Sequence, residues 1–388
     1  MSNPFSLRLI FSFLFFSAFI STSFAQELNM AWAVHTGSSI SASPVLDKAN
    51  IYVGNEEGKM MCFNQVTGQP VWEFDTKGNI QGKALLINDL IFFESANVFY
   101  MLYKSDGTLV WKHDLQIQPE QFVHDNITYM YKLDPYDDIR PTGLAQKYSV
   151  FVGTTNGLVL EFDLKSGEIK RKIESDEKAP IRTTPTLADR VLYFGDWNGI
   201  LYAYDLKTDQ FLWKTKAYEE KPYGTFGSIA SAMTVENGLL YFGARNPKLQ
   251  VLSTASGNPQ WSYAEKNGGW IIGDPVIAGD TLFIGGSDNF AMMAFNANNG
   301  DLYWQNIRTK NIYTRPVITP DWIIYTAGDG YDKTNKGELV VLNKTNGKEL
   351  AEYITPAGVF SSPAYSVKNG LVYFGCMNGK LYAVRLKE

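Results

Sequence analysis

Residues that commonly form catalytic and metal sites are scarce in this sequence. Its 388 residues include two cysteines and three histidines. It contains no CxxC, HExxH or G-x-S-x-G motif and no phosphate-binding glycine loop. This scarcity argues against a transition-metal site and against a nucleophile–histidine arrangement. We therefore predict no catalytic residues, no metal and no resident cofactor.

Positive charge is also in short supply. Lysine and arginine number 35, against 40 aspartate and glutamate residues, and the formal net charge is −5 at pH 7. Binding to the phosphates of nucleic acids requires a basic surface. The sequence therefore predicts that nucleic acid is not a partner.

Long apolar segments are missing, apart from one near the start of the chain. That run, Leu9–Ile20, follows Arg8, is too short to span a bilayer and precedes Ser23-Phe24-Ala25. This order is typical of a cleaved secretory signal. We predict that residues 1–25 are removed and that the protein is periplasmic or secreted. Because no cysteine precedes Cys62, we expect no lipid anchor, and we predict no transmembrane segment.

Glycine and tryptophan, by contrast, recur at a fixed spacing. A glycine or a substitute stands four residues before a tryptophan or a substitute in seven places: Gly68/Trp72, Gly107/Trp111, Gly167/Arg171, Asp209/Trp213, Gly257/Trp261, Gly300/Trp304 and Gly347/Ala351. Trp32 stands alone near the N-terminus. Self-similarity at a period of roughly 40 to 50 residues indicates a repeat architecture.

One unit of the repeat divides into four short strands. Residues 181–185 and 191–195 predict the first two, and Asn198-Gly199 is a strong hairpin signal that leads into a third at 200–205. Residues 211–213 form the fourth. Four antiparallel strands joined by tight turns make one blade of a β-propeller.

The pattern yields eight units, which we predict to form one domain over residues 26–388. The last unit begins at Ser362-Pro363 and ends after three strands, whereas Met30–Val34 is a tryptophan strand without a unit of its own. We predict an all-β fold, an eight-bladed β-propeller of four-stranded antiparallel blades whose ring is closed by this N-terminal strand. Closure removes free sheet edges.

The repeated residues have mechanical roles in this interpretation. The glycine permits a positive φ in the turn before the outer strand, and the tryptophan covers the neighbouring blade with its N–H available for one hydrogen bond. Because Arg171 and Ala351 break the pattern, we expect different packing near blades 3 and 7. The predicted blade-docking tryptophans are Trp32, Trp72, Trp111, Trp213, Trp261 and Trp304.

The two cysteines fall in the first and last blades, which adjoin when the ring closes. A disulfide suits an exported protein. However, Cys62 and Cys376 occupy different strand positions, and a disulfide needs a short Cα separation. We expect two buried thiols, with a disulfide as the alternative.

The repeat resembles that of the bacterial quinoprotein (PQQ-like) propellers, best at Gly195…Gly199…Ala203-Tyr204-Asp205…Asp209…Trp213. One branch of that family consists of dehydrogenases that hold pyrroloquinoline quinone and Ca²⁺ on the propeller axis. Their quinone lies between a tryptophan and a disulfide of adjacent cysteines, with Glu, Asn and Asp around the metal. The present chain has no adjacent cysteines.

The other branch is non-catalytic and BamB-like, and includes an accessory propeller of outer-membrane β-barrel assembly. The resemblance to this branch in length, blade number and secretion implies an exported scaffold that binds a protein partner in the cell envelope. Two alternatives stay open at this point: a quinone-dependent dehydrogenase and a propeller that binds a glycan or small ligand.

The start of each innermost strand should line the central channel. These positions give a polar mouth with four basic groups and one acid: Ser43, Lys83, Arg140, Thr184, Ser231, Asp274, Arg315 and Ser362, with Arg182 nearby. An arginine fork suits an anion or a peptide carboxylate. Alternatively, these side chains pair with one another and with strand carbonyls in a wet channel.

Long connections are the other irregularity. Residues 114–140 and 218–228 join an outer strand to the next inner strand, so we expect them beside the channel mouth together with residues 264–270. Their aromatic residues would suit a protein interface or would pack onto the blade tops: Phe122, Tyr129, Tyr131, Tyr136, Tyr223, Phe226 and Trp270. Asp134, Asp137 and Asp138 do not follow a calcium-loop spacing, and we interpret them as solvated acids.

Overall fold

Eight antiparallel four-stranded sheets form the blades of a β-propeller, as the repeat predicts. The computed structural model describes residues 28–117, 122–124, 127–129, 141–217, 228–266, 268–330 and 332–386. Within these residues no helix is long and apolar enough to cross a membrane. The predicted signal, residues 1–25, lies outside them.

The first four blades follow the chain in order, each from the innermost strand to the outermost. Their strands are β2 (Val45–Leu46), β3 (Asn50–Gly54), β4 (Lys59–Asn64) and β5 (Pro70–Asp75); β6 (Leu85–Ile87), β7 (Leu90–Ser95), β8 (Val98–Tyr103) and β9 (Leu109–Asp114); β12 (Leu144–Gln146), β13 (Ser149–Gly153), β14 (Leu158–Asp163) and β15 (Ile169–Glu174); and β16 (Thr186–Ala188), β17 (Val191–Gly195), β18 (Ile200–Asp205) and β19 (Gln210–Lys216).

Blades 5 to 8 repeat the arrangement, and the last one borrows its outer strand from the N-terminus. Their strands are β20 (Thr234–Glu236), β21 (Leu239–Phe242), β22 (Lys248–Ser253) and β23 (Pro259–Ala264); β24 (Val276–Ala278), β25 (Thr281–Gly285), β26 (Ala291–Asn296) and β27 (Leu302–Ile307); β28 (Val317–Ile318), β29 (Trp322–Ala327), β30 (Glu338–Asn343) and β31 (Glu349–Ile354); and β32 (Ala364–Ser366), β33 (Leu371–Gly375), β34 (Lys380–Leu386) and β1 (Leu28–His35).

Pairing of β1 with β34 confirms that the N-terminal strand closes the ring. The register runs antiparallel from Leu28 opposite Leu386 to His35 opposite Lys380. A short 3-10 helix, Asp176–Lys178, follows β15. The connection at 114–140 is more than a loop, since it contains a two-stranded hairpin of β10 (Phe122–His124) and β11 (Ile127–Tyr129).

Burial follows the position of a strand within its blade. In blade 4 the third strand is buried on both faces at Leu201, Tyr202 and Ala203, whereas the outer strand β19 alternates between exposed and half-buried residues. The middle strands are sandwiched by the neighbouring blades, so they carry continuous apolar runs. The core is therefore a ring of clusters between blades.

The two faces of the ring differ in what they carry. Hairpins between second and third strands form backbone hydrogen bonds to the connections between blades. The backbone N–H of Trp197 donates to Pro180 O (2.8 Å), and that of Ser287 donates to Trp270 O (2.7 Å). We call this side the upper face. The turns that join the first strand of each blade to the second, and the third to the fourth, lie on the opposite side, the lower face. The glycine turns of the repeat are among them.

The repeated tryptophans join each blade to the next. Each indole N–H donates to a carbonyl in the following blade: Trp32 to Gln65 (3.0 Å), Trp72 to Lys104 (2.8 Å), Trp111 to Leu164 (3.0 Å), Trp213 to Thr254 (2.8 Å), Trp261 to Ala297 (3.1 Å) and Trp304 to Lys344 (3.2 Å). Each indole ring also covers the glycine that lies three residues after the carbonyl it bonds. A Cβ on Gly107, where φ is +73°, would lie 2.7 Å from Trp72 Cε3.

The break at Arg171 is filled by a set of charged residues. Arg171 Nη1 donates to Leu206 O (3.1 Å), the carbonyl that an indole would reach in this joint. The same guanidinium pairs with Asp209 (2.8 Å), which stands at the glycine position of blade 4, and with Glu161 (3.2 Å) on the adjacent strand. The substitutions at 171 and 209 are therefore two halves of one joint.

The break at Ala351 has a topological cause. Blade 8 takes its outer strand from the N-terminus, so no turn connects β34 to an outer strand. There is no glycine turn for a tryptophan on β31 to cover. Ala351 instead packs in a cluster with Val384 and Leu386.

Candidate functional site

The channel is lined by one residue from each blade, two positions before its innermost strand. This inner ring consists of Ser43, Lys83, Thr142, Thr184, Ala232, Asp274, Arg315 and Ser362. Six of these positions match our sequence assignment. In blade 5 the ring position belongs to Ala232 and not Ser231, whose hydroxyl is buried and donates to Gly243 O (3.0 Å).

The assignment for blade 3 is also out of register. In blades such as 4 and 6, proline directly follows the ring residue, but Pro141 directly precedes Thr142. Reading the residue before proline therefore selects Arg140, which lies outside the described residues. Thr142 takes the ring position because its N–H makes the contact with the next blade that other ring residues make.

Hydrogen bonds connect neighbouring ring positions. A backbone N–H of one blade donates to the ring side chain of the next: Thr142 N–H to Thr184 Oγ1 (2.9 Å), Ala232 N–H to Asp274 Oδ1 (2.7 Å), Arg315 N–H to Ser362 Oγ (2.9 Å) and Ser362 N–H to Ser43 Oγ (2.8 Å). A hydroxyl or carboxylate oxygen accepts at these four ring positions, which are therefore polar although the blades are apolar.

The ring encloses a cavity of about 170 Å³. Lys83, Arg182, Asp274 and Arg315, all predicted as binding residues, line this one cavity. Its other walls include Ile272 and the stacked rings of Tyr313 and Phe360, whose centroids are 5.9 Å apart. The structure thus brings four of the predicted residues together beside an apolar surface.

Positive charge exceeds negative charge in the described part of this cavity. Burial lowers the pKa of Lys83, and the nearby Arg315 charge lowers it further. Burial raises the pKa of Asp274, although Arg315, the Ala232 N–H and Lys83 favour its ionised form. Lys83 and Arg315 both reach solvent through the channel. An anion placed between them would relieve the repulsion between two confined cations.

A stack of arginines and tryptophans, which we call the Arg–Trp stack, lies beside the cavity on the upper face. The Arg182 guanidinium carbon is 4.6 Å from the Trp197 ring centroid, and that of Arg245 is 5.4 Å from Trp197 and 4.5 Å from Trp270. Both arginines are only 2% exposed. Cation–π contacts of this kind help to hold guanidinium groups in place.

Sequence reasoning missed Trp197 and Arg245. A signal was available, because Trp197 lies outside the Gly-x-x-x-Trp spacing, in a hairpin of the upper face. The predicted aromatic residues Tyr136, Tyr223 and Phe226 lie outside the described residues. Phe122 is in β10. Trp270 is half-buried and belongs to the Arg–Trp stack.

The two thiols are buried and unbonded to each other. Cys62 packs in the interior between blades 1 and 2, where burial raises its pKa to about 12. Cys376 lies in a different cluster and donates to Ala357 O (3.4 Å). Their separate positions in the blades account for the absence of a bond between them.

Comparison with known proteins identifies the family. The family model described as "Outer membrane protein assembly factor BamB" matches residues 25–134, 132–215 and 216–388. The chain belongs to this family. A stretch of 133 residues is 24% identical to an uncharacterized protein of Rickettsia prowazekii, covering 34% of this chain and 30% of that relative.

Solved structures share the propeller fold of this chain. BamB from Moraxella catarrhalis is 15% identical, with a TM-score of 0.68 over 93% of this chain and 98% of that one. Quinohemoprotein alcohol dehydrogenase from Comamonas testosteroni is 13% identical, with a TM-score of 0.70 over 92% and 76%. A europium-containing methanol dehydrogenase is 12% identical, with a TM-score of 0.71 over 92% and 93%. Likeness at these identities shows the fold alone.

The described channel does not fit the quinone and Ca²⁺ of the dehydrogenase branch. Ca²⁺ takes several oxygen ligands, yet Asp274 is the one carboxylate lining the described cavity, beside Lys83 and Arg315. No group of three or more His, Cys, Asp or Glu residues is placed to hold a metal in the described part of the chain. The cysteines, Cys62 and Cys376, lie inside blades and away from the channel.

Proposed function

We propose that this protein is an exported, non-catalytic scaffold that binds a protein partner of the cell envelope through its upper face. The observation that carries this proposal is the coincidence of three features on that face. The cationic channel mouth opens there, the Arg–Trp stack lies beside it, and β9 ends and β12 begins there on either side of the 114–140 connection. Functional contacts commonly lie on loops presented by a rigid scaffold.

The family description supports a place in outer-membrane protein assembly. Membership in a family described as an outer membrane protein assembly factor favours a periplasmic location and an envelope protein as partner. The donor set of the channel, which does not match a quinone–calcium site, favours binding over oxidoreductase chemistry. The partner is expected to present negative charge to the Lys83 and Arg315 side of the channel.

Affinity capture from an envelope extract, with bound proteins identified by mass spectrometry, tests the proposal. The full chain should capture a specific envelope protein, and charge reversal by Lys83→Glu with Arg315→Glu should abolish capture. Replacing residues 116–140 with a short Gly-Ser linker should weaken it. Lys48→Glu, in an exposed turn of the lower face, serves as the matched control and should capture normally.

Two results would contradict the proposal. One is capture of the same protein by wild type and by the double reversal at equal yield. The other is dye-linked oxidation of an alcohol by the protein after addition of pyrroloquinoline quinone and Ca²⁺. Melting temperatures of all variants, measured by circular dichroism, separate lost binding from lost folding.

A further inference from the structure

Three hydroxyl groups of the inner ring accept a hydrogen bond and still have their own hydrogen atom available to donate. Ser43 Oγ, Thr184 Oγ1 and Ser362 Oγ each accept a backbone N–H from the neighbouring blade. A hydroxyl that accepts in this way keeps its own O–H as a donor. Within the described residues, none of the three donates a hydrogen bond to another protein group.

Two cations add to this excess of donors. Neither Lys83 nor Arg315 forms an ion pair with a carboxylate of the described residues; Arg315 Nη1 donates to Pro275 O (3.3 Å). The carboxylate of Asp274 is occupied at Oδ1 by the N–H of Ala232 (2.7 Å). The hydroxyls of Ser43, Thr184 and Ser362, the Lys83 ammonium and the Arg315 guanidinium thus face a cavity whose described walls provide one acidic group, Asp274.

The size and walls of the cavity restrict what an anion can bring with it. A volume of about 170 Å³ corresponds to about five or six water molecules at ~30 Å³ each. Ile272, Tyr313 and Phe360 give one side an apolar surface. The space suits a carboxylate attached to one small apolar group.

We propose that the inner ring binds a carboxylate through Lys83, Arg315 and the hydroxyls of Ser43, Thr184 and Ser362, and that this carboxylate is the C-terminus of a peptide chain. The source of the carboxylate rests on the proposed function, since a protein partner would supply it. The binding of a carboxylate does not rest on the proposed function, because a small free carboxylate would meet the same donors. A guanidinium fork and an ammonium are the side chains best suited to this charge.

Isothermal titration of the full chain with N-acetyl-Gly-Ala-Leu tests the site directly. We expect the peptide with a free C-terminus to bind and the amidated peptide to bind about tenfold more weakly or worse, because a charged hydrogen-bonding partner is lost. Lys83→Met and Arg315→Met should each weaken binding to a similar extent. Arg315→Lys should recover part of the loss, and Lys48→Met on the lower face should have no effect.

The pH dependence provides a readout that a purely structural role would not give. Binding should weaken as pH rises through the pKa of Lys83, which lies below the usual lysine value of 10.5. The decline should be absent from Lys83→Met. Equal binding of acid and amide, or unchanged binding in both methionine variants, would overturn the carboxylate site.

Sodium succinate separates the two sources of a carboxylate. Binding of succinate without binding of the peptide would keep the carboxylate chemistry and overturn the chain-end source. If the methionine variants lose the peptide yet still capture the envelope partner, this inference stands while the role of the channel mouth in the proposed function fails. If the methionine variants bind the peptide normally but capture no partner, the carboxylate site fails while the role of the channel mouth in the proposed function stands.

Discussion

Two kinds of joint between blades can be compared in this propeller. In six of the described joints an indole covers the turn of the next blade and donates to its carbonyl, as Trp261 does at Ala297 O. Between blades 3 and 4 the Arg171 guanidinium donates to the corresponding carbonyl, Leu206 O, and meets Asp209 where the turn would have glycine. The two kinds of joint use different side chains to make the same contact with the next blade.

The comparison separates what the joint requires from how a given blade supplies it. A flat donor must reach the carbonyl, and the turn must complement that donor. A glycine complements an indole because it has no Cβ, and an aspartate complements a guanidinium through charge. An open groove of about 410 Å³ lies beside the charged joint and is lined by Lys147, Tyr148, Arg171 and Arg190 among others.

The largest expected effect comes from breaking an indole joint at its turn. Gly300 has a φ of +80°, and a Cβ there would lie 2.5 Å from Trp261 Cε3. Gly300→Val should lower the free energy of unfolding by about 3 kcal/mol or more, as backbone strain and overpacking combine. Urea denaturation followed by tryptophan fluorescence measures the loss.

Gly279 provides the matched control for that substitution. Its φ is +64°, but a Cβ placed on it would meet no neighbouring atom within 4 Å. Gly279→Val should therefore carry only the backbone cost of about 1–2 kcal/mol. Equal losses in the two variants would mean that the indole contact does not restrict the turn.

Placing a tryptophan in the charged joint should lower stability by an intermediate amount, and changing its two acidic partners as well should restore that stability. Arg171→Trp alone should cost about 2 kcal/mol, since it leaves Glu161 and Asp209 without their cation. The triple variant Arg171→Trp, Asp209→Gly, Glu161→Ala should return to within about 1 kcal/mol of wild type, because neighbouring changes couple. Denaturation midpoints of both variants test this. A triple variant less stable than Arg171→Trp would contradict the equivalence of the joints.

The smallest effect is expected at the inner ring, where charge and not packing is at stake. Because the pKa of Lys83 is lowered on folding, its charged form disfavours the folded state at neutral pH. Lys83→Met should therefore raise the free energy of unfolding slightly, by less than about 1 kcal/mol. The gain should shrink as pH rises through the lowered pKa toward 10.5. A lower melting temperature for Lys83→Met at pH 7, measured by calorimetry, would contradict this sign.

The repeat made the fold predictable from sequence. Each Gly-x-x-x-Trp pair marks a turn and a joint, so counting them with Trp32 gives both the blade number and the closing strand. The pairing of Arg171 with Asp209 was not foreseen, although both substitutions were visible. The missing step was that a tryptophan of one blade covers the glycine of the next, which relates residues 38 positions apart.

The inner ring was only partly predictable, for a different reason. Proline marks the ring residue in blades where it directly follows, as at Asp274 and Arg315, and misleads by two residues in blade 3. The Arg–Trp stack joins residues from separate connections, so it depends on how the upper face is assembled. No local periodicity encodes that assembly.

Ring closure also has a consequence for the order of folding. The strand that completes blade 8, Leu28–His35, precedes every other described strand in the chain, yet its partner Lys380–Leu386 is the last of them. The first of the described strands to be synthesised must therefore stay unpaired until the end of the chain has followed. Such long-range pairing slows folding and leaves edges exposed to aggregation. The unpaired Leu28–His35 strand is therefore the edge that most needs protection before the ring closes.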